Sequence, residues 1–144
     1  MELREILPPD TGQAYLAMRA LRTHLEDEAE FVRRVDDVQR GEGYRLAAVF
    51  DKEPHALAVA GFREVNYLAW GHALYVDDLS TLPEHRRRGY GRALLVWLSG
   101  EAARLGCEQV HLDSGVGPDR ADAHRLYMAS GFTITAHHFA HRLG

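Results

Sequence analysis

The segment Leu79-Ser-Thr-Leu-Pro-Glu-His-Arg-Arg-Arg-Gly-Tyr-Gly-Arg-Ala-Leu-Leu95 gathers the chain's clearest set of groups with a chemical use. Arg86, Arg87 and Arg88 stand in a row, and Gly89, Tyr90, Gly91 and Arg92 follow them. An extended run, Leu74 to Leu79, leads into this stretch, and an amphipathic helical pattern leads out of it. A helix N-terminus carries unpaired N–H groups and the positive end of the helix dipole, so it attracts anions. Glycine there lets the backbone approach a phosphate closely. Arginine adds permanent charge and forked donors that match phosphate oxygens. The segment therefore reads as a pyrophosphate cradle, against the plainer reading of a turn with a solvated charge run. Two other phosphate motifs are excluded, because there is no Gly-Lys-Ser/Thr and no Gly-x-Gly-x-x-Gly with a later ribose-binding acid.

The elements that must hold this segment follow from periodicity. Glu2–Leu7 reads as a strand stopped by Pro8-Pro9. Asp10 or Thr11 is placed to cap a helix whose apolar positions are Ala14, Tyr15, Met18, Leu21 and Leu25. A second helix carries Phe31, Val32, Val35 and Val38 and stops at Gly41 or Gly43. Strands are expected over Tyr44–Phe50, Ala56–Val65 and His72–Leu79, with a turn at Asp51–Pro54. A helix over Gly91–Leu105 puts Leu94, Leu95, Leu98, Ala102 and Leu105 on one stripe, and Gly106 ends it. A short strand, Gln109–Asp113, precedes a helix capped by Asp119 and ended by Gly131, and Phe132–Leu143 reads as a last strand, whole or broken in two. The order β-α-α-β-β-β-α-β-α-β predicts an α/β fold, a mixed sheet with helices packed on it, in a single domain over residues 1–144.

Composition narrows the function classes. The 144 residues carry a formal charge of −4, which argues against a general nucleic-acid binder and sets the basic cluster apart. The single cysteine, Cys107, excludes an internal disulfide, and a zinc site built on cysteines is not expected of it. No run is apolar and long enough to span a membrane, and no signal peptide is visible, so a cytoplasmic location is expected. A homodimer is compatible with these features.

The spacing Arg86-x-x-Gly89-x-Gly91 resembles the acetyl-CoA signature of the GNAT superfamily of N-acetyltransferases. A second stretch, Ala123-His-Arg-Leu-Tyr-Met-Ala-Ser-Gly-Phe132, resembles that family's Ala-x-x-Leu-Tyr-x-x-x-Gly-Phe, and the order of elements matches the GNAT fold. The resemblance implies that acetyl-CoA is the cosubstrate and an amine is the acceptor. It implies that the pyrophosphate lies on Arg86–Arg92, and that the pantetheine arm pairs with the backbone of Leu79, Ser80 and Thr81 on a strand splayed by a bulge. A backbone N–H near Leu79 then faces the thioester oxygen. Tyr127 falls on the family's general acid, whereas the plainer reading is a core tyrosine beside Leu126. Many relatives carry Asn seven residues before this tyrosine, where Arg120 stands here. Direct attack of the amine in a ternary complex is the expected route, and a non-catalytic acetyl-CoA-binding sensor or interaction module is the alternative.

An alkylammonium is mostly protonated at neutral pH, so a base must take its proton. Asp77 and Asp78 lie on the strand before the cradle, and strand alternation predicts that they face opposite sides. Either is a candidate, and Tyr75 stands where some relatives place a glutamate. His111 and one of His137-His138 are candidate proton relays or simply packing residues. The nine histidines are scattered, and no spacing suggests a metal site. Glu26, Asp27, Glu28, Glu30, Asp36 and Asp37 make the second helical segment acidic, with Glu30 and Arg34 placed as an i,i+4 pair. They form a solvated face or a rim that draws cations, and the second use favours a small cationic acceptor.

Overall fold

Small and branched apolar residues buried on both faces organise the first part of the chain. Strand β2 (Arg45–Phe50) and the first half of β3 (Ala58–Tyr67) are buried almost without interruption. Such strands have to be covered by helices on both sides. The computed structural model describes residues 1–144, which form two compact units, Met1–Leu112 and Asp113–Gly144.

The first unit holds a five-stranded sheet in the order β1-β2-β3-β4-β5, with β1 at Glu2–Ile6, β4 at Gly71–Thr81 and β5 at Gln109–Leu112. The β1–β4 neighbours are antiparallel, and β4 and β5 are parallel, joined through helix α3 (Tyr90–Arg104). Helices α1 (Tyr15–Leu21) and α2 (Glu28–Arg33) cover one face, where Tyr15, Met18, Phe31 and Val35 pack on Leu46, Ala48, Phe50 and Val59. Helix α3 covers the face formed by the alternate residues, with Leu94, Leu95, Leu98 and Ala102 buried and Trp97 edge-on to Phe62. A charged chain crosses that face. Arg45 holds Glu5 through two bonds of 2.9 Å and also bonds buried Glu101, which Arg104 caps in turn.

Local chemistry departs from the expected caps. Asp10–Ala14 is a 3-10 turn with no side-chain cap, and Thr11 instead donates to Asp36 Oδ1 at 2.7 Å. The cap of α2 is Asp27, which accepts the Glu30 N–H at 2.7 Å. After Arg33 the chain continues as a π-helix, Arg34–Gln39, which turns the face of this segment. Glu30 therefore pairs with Arg33 rather than Arg34.

The second unit contains helix α4 (Ala121–Ala129), entered through a 3-10 turn at Pro118–Arg120, so Asp119 lies in that turn and caps nothing. The strand expected over Phe132–Leu143 is absent, and residues 133–144 have no regular structure. Ile134, Phe139 and Leu143 are exposed. Strand-like alternation stabilises a strand only when a neighbour completes its ladder, and this stretch has none.

Candidate active site

The site starts from a mismatch of one residue. Gly61 pairs with Asp78, and the next residue, Phe62, pairs with Val76, which leaves Asp77 as the extra residue of a β-bulge. A bulge breaks the alternation of side chains and bends the strand. Asp77 and Asp78 consequently line the same cleft, and the expectation that they face opposite sides is corrected. The family resemblance implies a bulge in this strand, and β4 carries one here.

The cleft has a volume of about 350 Å³ and lies between α1, α2 and β4. Met18, Leu25, Phe31 and Val35 form its apolar wall. Its polar groups are Tyr44, Tyr75, Asp77 and Asp78, with Arg22, Arg34, His24 and Gln39. Asp78 has both oxygens engaged, Oδ1 by Arg22 Nε at 2.8 Å and Oδ2 by the Tyr44 hydroxyl at 2.7 Å. Arg63 holds Asp77 mainly through Oδ2, at 2.6 Å, and reaches Oδ1 only at 3.2 Å. Arg22 also donates to the Asp77 carbonyl at 2.9 Å, which fixes the bulge.

These surroundings separate the two carboxylates. Burial pushes the Asp77 carboxyl above its ordinary range, and Arg63 opposes the shift without cancelling it. The Tyr44 phenol is raised well above its ordinary value, first by burial and then by the Asp78 charge. Tyr44 is therefore a fixed donor to Asp78, and Asp77 is the carboxylate with the more weakly held oxygen, Oδ1.

Tyr44 reaches Asp78 by crossing Gly61. A Cβ built on Gly61 would lie 1.8 Å from the Tyr44 hydroxyl, so only glycine admits this contact. Gly61 inside an apolar strand was the available sign of a close approach. Arg22, Tyr44 and Arg63 carried no separate sign, because their contacts span 14 to 56 residues.

Past Val76, which pairs with Leu112, β4 has no partner on the β5 side. Leu79, Ser80 and Thr81 therefore present one free backbone edge. A 3-10 turn at Pro83–His85 follows, and Arg86 Nε donates to the Thr81 carbonyl at 3.4 Å. Arg87 and Gly89 both take positive φ, 64° and 83°. Gly89 precedes α3 without a side-chain cap, and the first bond of the helix runs from Ala93 N–H to the Gly89 carbonyl. The N–H groups of Tyr90, Gly91 and Arg92 are thus left without helical acceptors. No protein atom lies within 4 Å of a Cβ built on Gly89, and the side chains of Arg86, Arg87, Arg88 and Arg92 are exposed. The ring of Tyr90 packs on the core, so its backbone is what the cradle presents. Open N–H groups, open space and four cations fit a bound diphosphate.

In the second unit, Tyr127 is buried on α4 and its ring meets Phe132 edge-on. Burial raises its phenol, and the neighbouring Arg120 guanidinium pulls it back. Arg120, in the position where many relatives carry Asn, is thereby next to the tyrosine hydroxyl. His111 is not part of the cleft lining; it stacks on Trp70 at 3.6 Å between ring centres. His138 lies 3.3 Å from Asp113. None of Glu26, Asp27, Glu28, Glu30, Asp36 and Asp37 lines the cleft.

Comparison with known proteins bears on the family and the fold. Residues 3–132 match the family described as Acetyltransferase (GNAT) family. The chain is 33% identical over 129 residues to the uncharacterized N-acetyltransferase YhdJ of Bacillus subtilis (strain 168), covering 89% of this chain and 88% of that protein. It is 34% identical over 76 residues to a streptothricin acetyltransferase of Streptomyces lavendulae, covering 53% of this chain but only 39% of that protein. The aminoglycoside N-acetyltransferase AAC(6')-Iy, solved in complex with CoA, superposes with a TM-score of 0.79 at 14% identity, over 99% of this chain and 93% of that one.

Proposed function

The chain belongs to the GNAT acetyltransferase family, and we propose that it transfers the acetyl group of acetyl-CoA to a small amine bound in the cleft beside Asp77. The observation that carries this reading is the bulge, which aims Asp77 and Asp78 into one cleft beside the free edge of β4. Acetyl-CoA supplies the activated acyl group. The N–H groups at the start of α3, with Arg86, Arg87 and Arg88, hold its diphosphate. The free edge at Leu79–Thr81 pairs with its amide-bearing arm, and an N–H of that segment faces the thioester oxygen, where negative charge gathers.

Asp77 removes the proton from the acceptor ammonium, directly or through a water. The freed nitrogen bonds to the acetyl carbon as the carbon–sulfur bond breaks, and the sulfur leaves with the electron pair. The nitrogen gives up its remaining excess proton to water or to the departing thiolate, which leaves a neutral amide. Tyr127, by the match of its motif, donates a hydrogen bond or proton to that sulfur. Asp78, held by Arg22 and Tyr44, keeps the bulge in place rather than accepting the proton.

Asp77 and the exposed carboxylates Glu26, Asp27 and Glu28 on the neighbouring segment favour a cationic amine. Arg34 supports a second reading, because it lines the cleft and makes no ion pair. An amine that also bears a carboxylate or phosphate would satisfy it. The test is a free-thiol assay with acetyl-CoA over polyamines, aminoglycosides, basic amino acids and phosphorylated amino sugars, at low and moderate salt. A cationic preference that weakens with salt supports steering by the acidic segment. A preference for phosphorylated acceptors transfers the assignment to Arg34, and no turnover of any amine overturns the proposed reaction.

A further inference from the structure

Glu64 on β3, His72 on β4 and Cys107 just before β5 meet in a side-chain cluster outside the acceptor cleft. His72 Nε2 lies 2.7 Å from Glu64 Oε2 and 3.5 Å from Cys107 Sγ, and all three atoms lie within 4.8 Å of one another. The residues are 8 and 35 positions apart in sequence, so no ligand spacing could disclose them.

The fold holds each of them. Asn66 is opposite His72 across the β3–β4 ladder, and Glu64, two residues before Asn66, shares its face. The His72 carbonyl accepts the Glu108 N–H at 2.9 Å, which ties β4 to the chain that follows Cys107. The Cys107 N–H closes the end of α3 by donating to the Ala102 carbonyl at 2.8 Å. The site therefore rests on two strands and a helix terminus rather than on a loop tip.

Two chemistries use cysteine, histidine and glutamate together. A nucleophilic relay needs the thiol on one imidazole nitrogen and the acid on the other. Here both face Nε2, so one proton cannot pass from sulfur through the ring to the carboxylate. A chelate needs the reverse, three donor atoms converging on one point. Tetrahedral zinc bonds of about 2.0–2.3 Å place ligand atoms roughly 3.3–3.8 Å apart, and the observed separations reach that pattern with small side-chain movements. The donor set is one sulfur, one nitrogen and one oxygen, which suits a borderline-soft divalent ion better than magnesium or calcium.

We propose that Glu64, His72 and Cys107 form a three-ligand site for a divalent transition metal of the Zn²⁺ class, with the fourth position open to water. Glu64 and His72 are partly exposed, which gives the ion an entry path. The site joins β3, β4 and the α3–β5 corner, and its occupancy would stabilise the first unit by mass action.

The experiment titrates chelator-treated full-length protein with Co²⁺, following thiolate-to-cobalt absorption, and then displaces the cobalt with Zn²⁺ in a calorimeter. One equivalent should bind with charge-transfer absorption and raise the melting temperature. Cys107→Ser should abolish the absorption, and both it and His72→Ala should weaken Zn²⁺ binding at least tenfold. Glu64→Gln, a partly exposed position, gives a third test should either of those variants melt early in chelator. Wild-type protein without thiolate absorption, or Zn²⁺ binding equal in wild type and all folded variants, overturns the site. The second outcome would place the metal on the other histidines.

Discussion

The Tyr44 hydroxyl donates to Asp78 Oδ2 at 2.7 Å, across a strand position where only glycine leaves room. That contact links the start of β2 to the bulged end of β4 and helps hold both aspartates at the cleft. The atoms nearest a Cβ on Gly61 are the Tyr44 hydroxyl at 1.8 Å and Cζ at 2.3 Å.

Gly61→Ala should therefore displace the buried ring of Tyr44 and cost ~1–3 kcal/mol, as overpacking does. Tyr44→Phe alone should cost less, about 1 kcal/mol, because Asp78 keeps Arg22. Tyr44→Phe should not rescue Gly61→Ala, since Cζ itself is too close, whereas Tyr44→Ala should recover part of the loss. Urea unfolding of the single and double variants checks this, and full rescue by phenylalanine would show that the ring moves freely.

Asp77 should give the sharper kinetic signature. Asp77→Asn removes the proposed base and should lower kcat by roughly 10²–10⁴-fold. Arg63 opposes the upward shift of the Asp77 carboxyl, so Arg63→Gln should raise that pKa further. A base works only when deprotonated, and activity is lost as pH falls through its pKa. The acid limb of the kcat profile should therefore move to higher pH in Arg63→Gln. An unmoved limb would remove Asp77 from the proton path.

Most of the elements, and the loop that opens α3, were legible because short-range signals determine them. The continuous apolar run in Arg45–Phe50, the stripe Leu94–Leu95–Leu98–Ala102 and the glycine-rich run at 86–92 are each read within a few residues. The arrangement of the two aspartates was not legible, because a bulge depends on which residues of β3 oppose β4. For the same reason alternation misassigned Asp77 and Asp78. Glu30 was paired with the wrong arginine because a π-helix starts at Arg34, and helical spacing assumes a regular helix. The pattern over Phe132–Leu143 suited a strand, but a ladder partner is a property of the fold and not of the segment.

Gly89→Val tests the cradle. At φ 83° a β-branched residue is strained, by ~1–2 kcal/mol, although its Cβ meets no protein atom within 4 Å. Gly89→Asn separates strain from obstruction, because asparagine tolerates this backbone yet still places a side chain at the open N–H groups. Both variants should fold and lose CoA affinity in calorimetry, valine the more. Normal binding by Gly89→Asn would show that the diphosphate does not approach there.

Tyr127→Phe should leave acetyl-CoA affinity near wild type and reduce turnover by roughly 10²-fold. A thiol titrates near pH ~8.5 and an ordinary phenol near ~10, and burial raises this phenol further. Donation of a hydrogen bond to the departing sulfur is thus favoured over complete proton transfer. Arg120 offsets the effect of burial, so Arg120→Gln should reduce turnover less than Tyr127→Phe and without altering affinity. Unchanged turnover in Tyr127→Phe, with the chemical step limiting, would leave the ring a packing role only.

The last expectation concerns acid stability and Glu101. Its side chain is 8% exposed, on α3, with Arg104 and Arg45 both bonded to it. Arg104 first, and then Arg45, hold its carboxyl down from an ordinary 4.5 to about 2, against the opposing effect of burial. A carboxyl whose pKa is depressed on folding contributes stability above its unfolded pKa and loses it as pH falls through the folded one. The contribution of Glu101 should be complete above about pH 5 and should disappear between about 4.5 and about 2. Glu101→Gln keeps the shape but not the charge, leaves Arg45 with Glu5 alone, and should cost ~1–3 kcal/mol at neutral pH. Urea unfolding of both proteins from pH 7 downwards should show the gap between them closing across that window. A gap that stays constant to pH 3 would mean that packing, not the ionised carboxylate, is what Glu101 supplies to the sheet–helix interface.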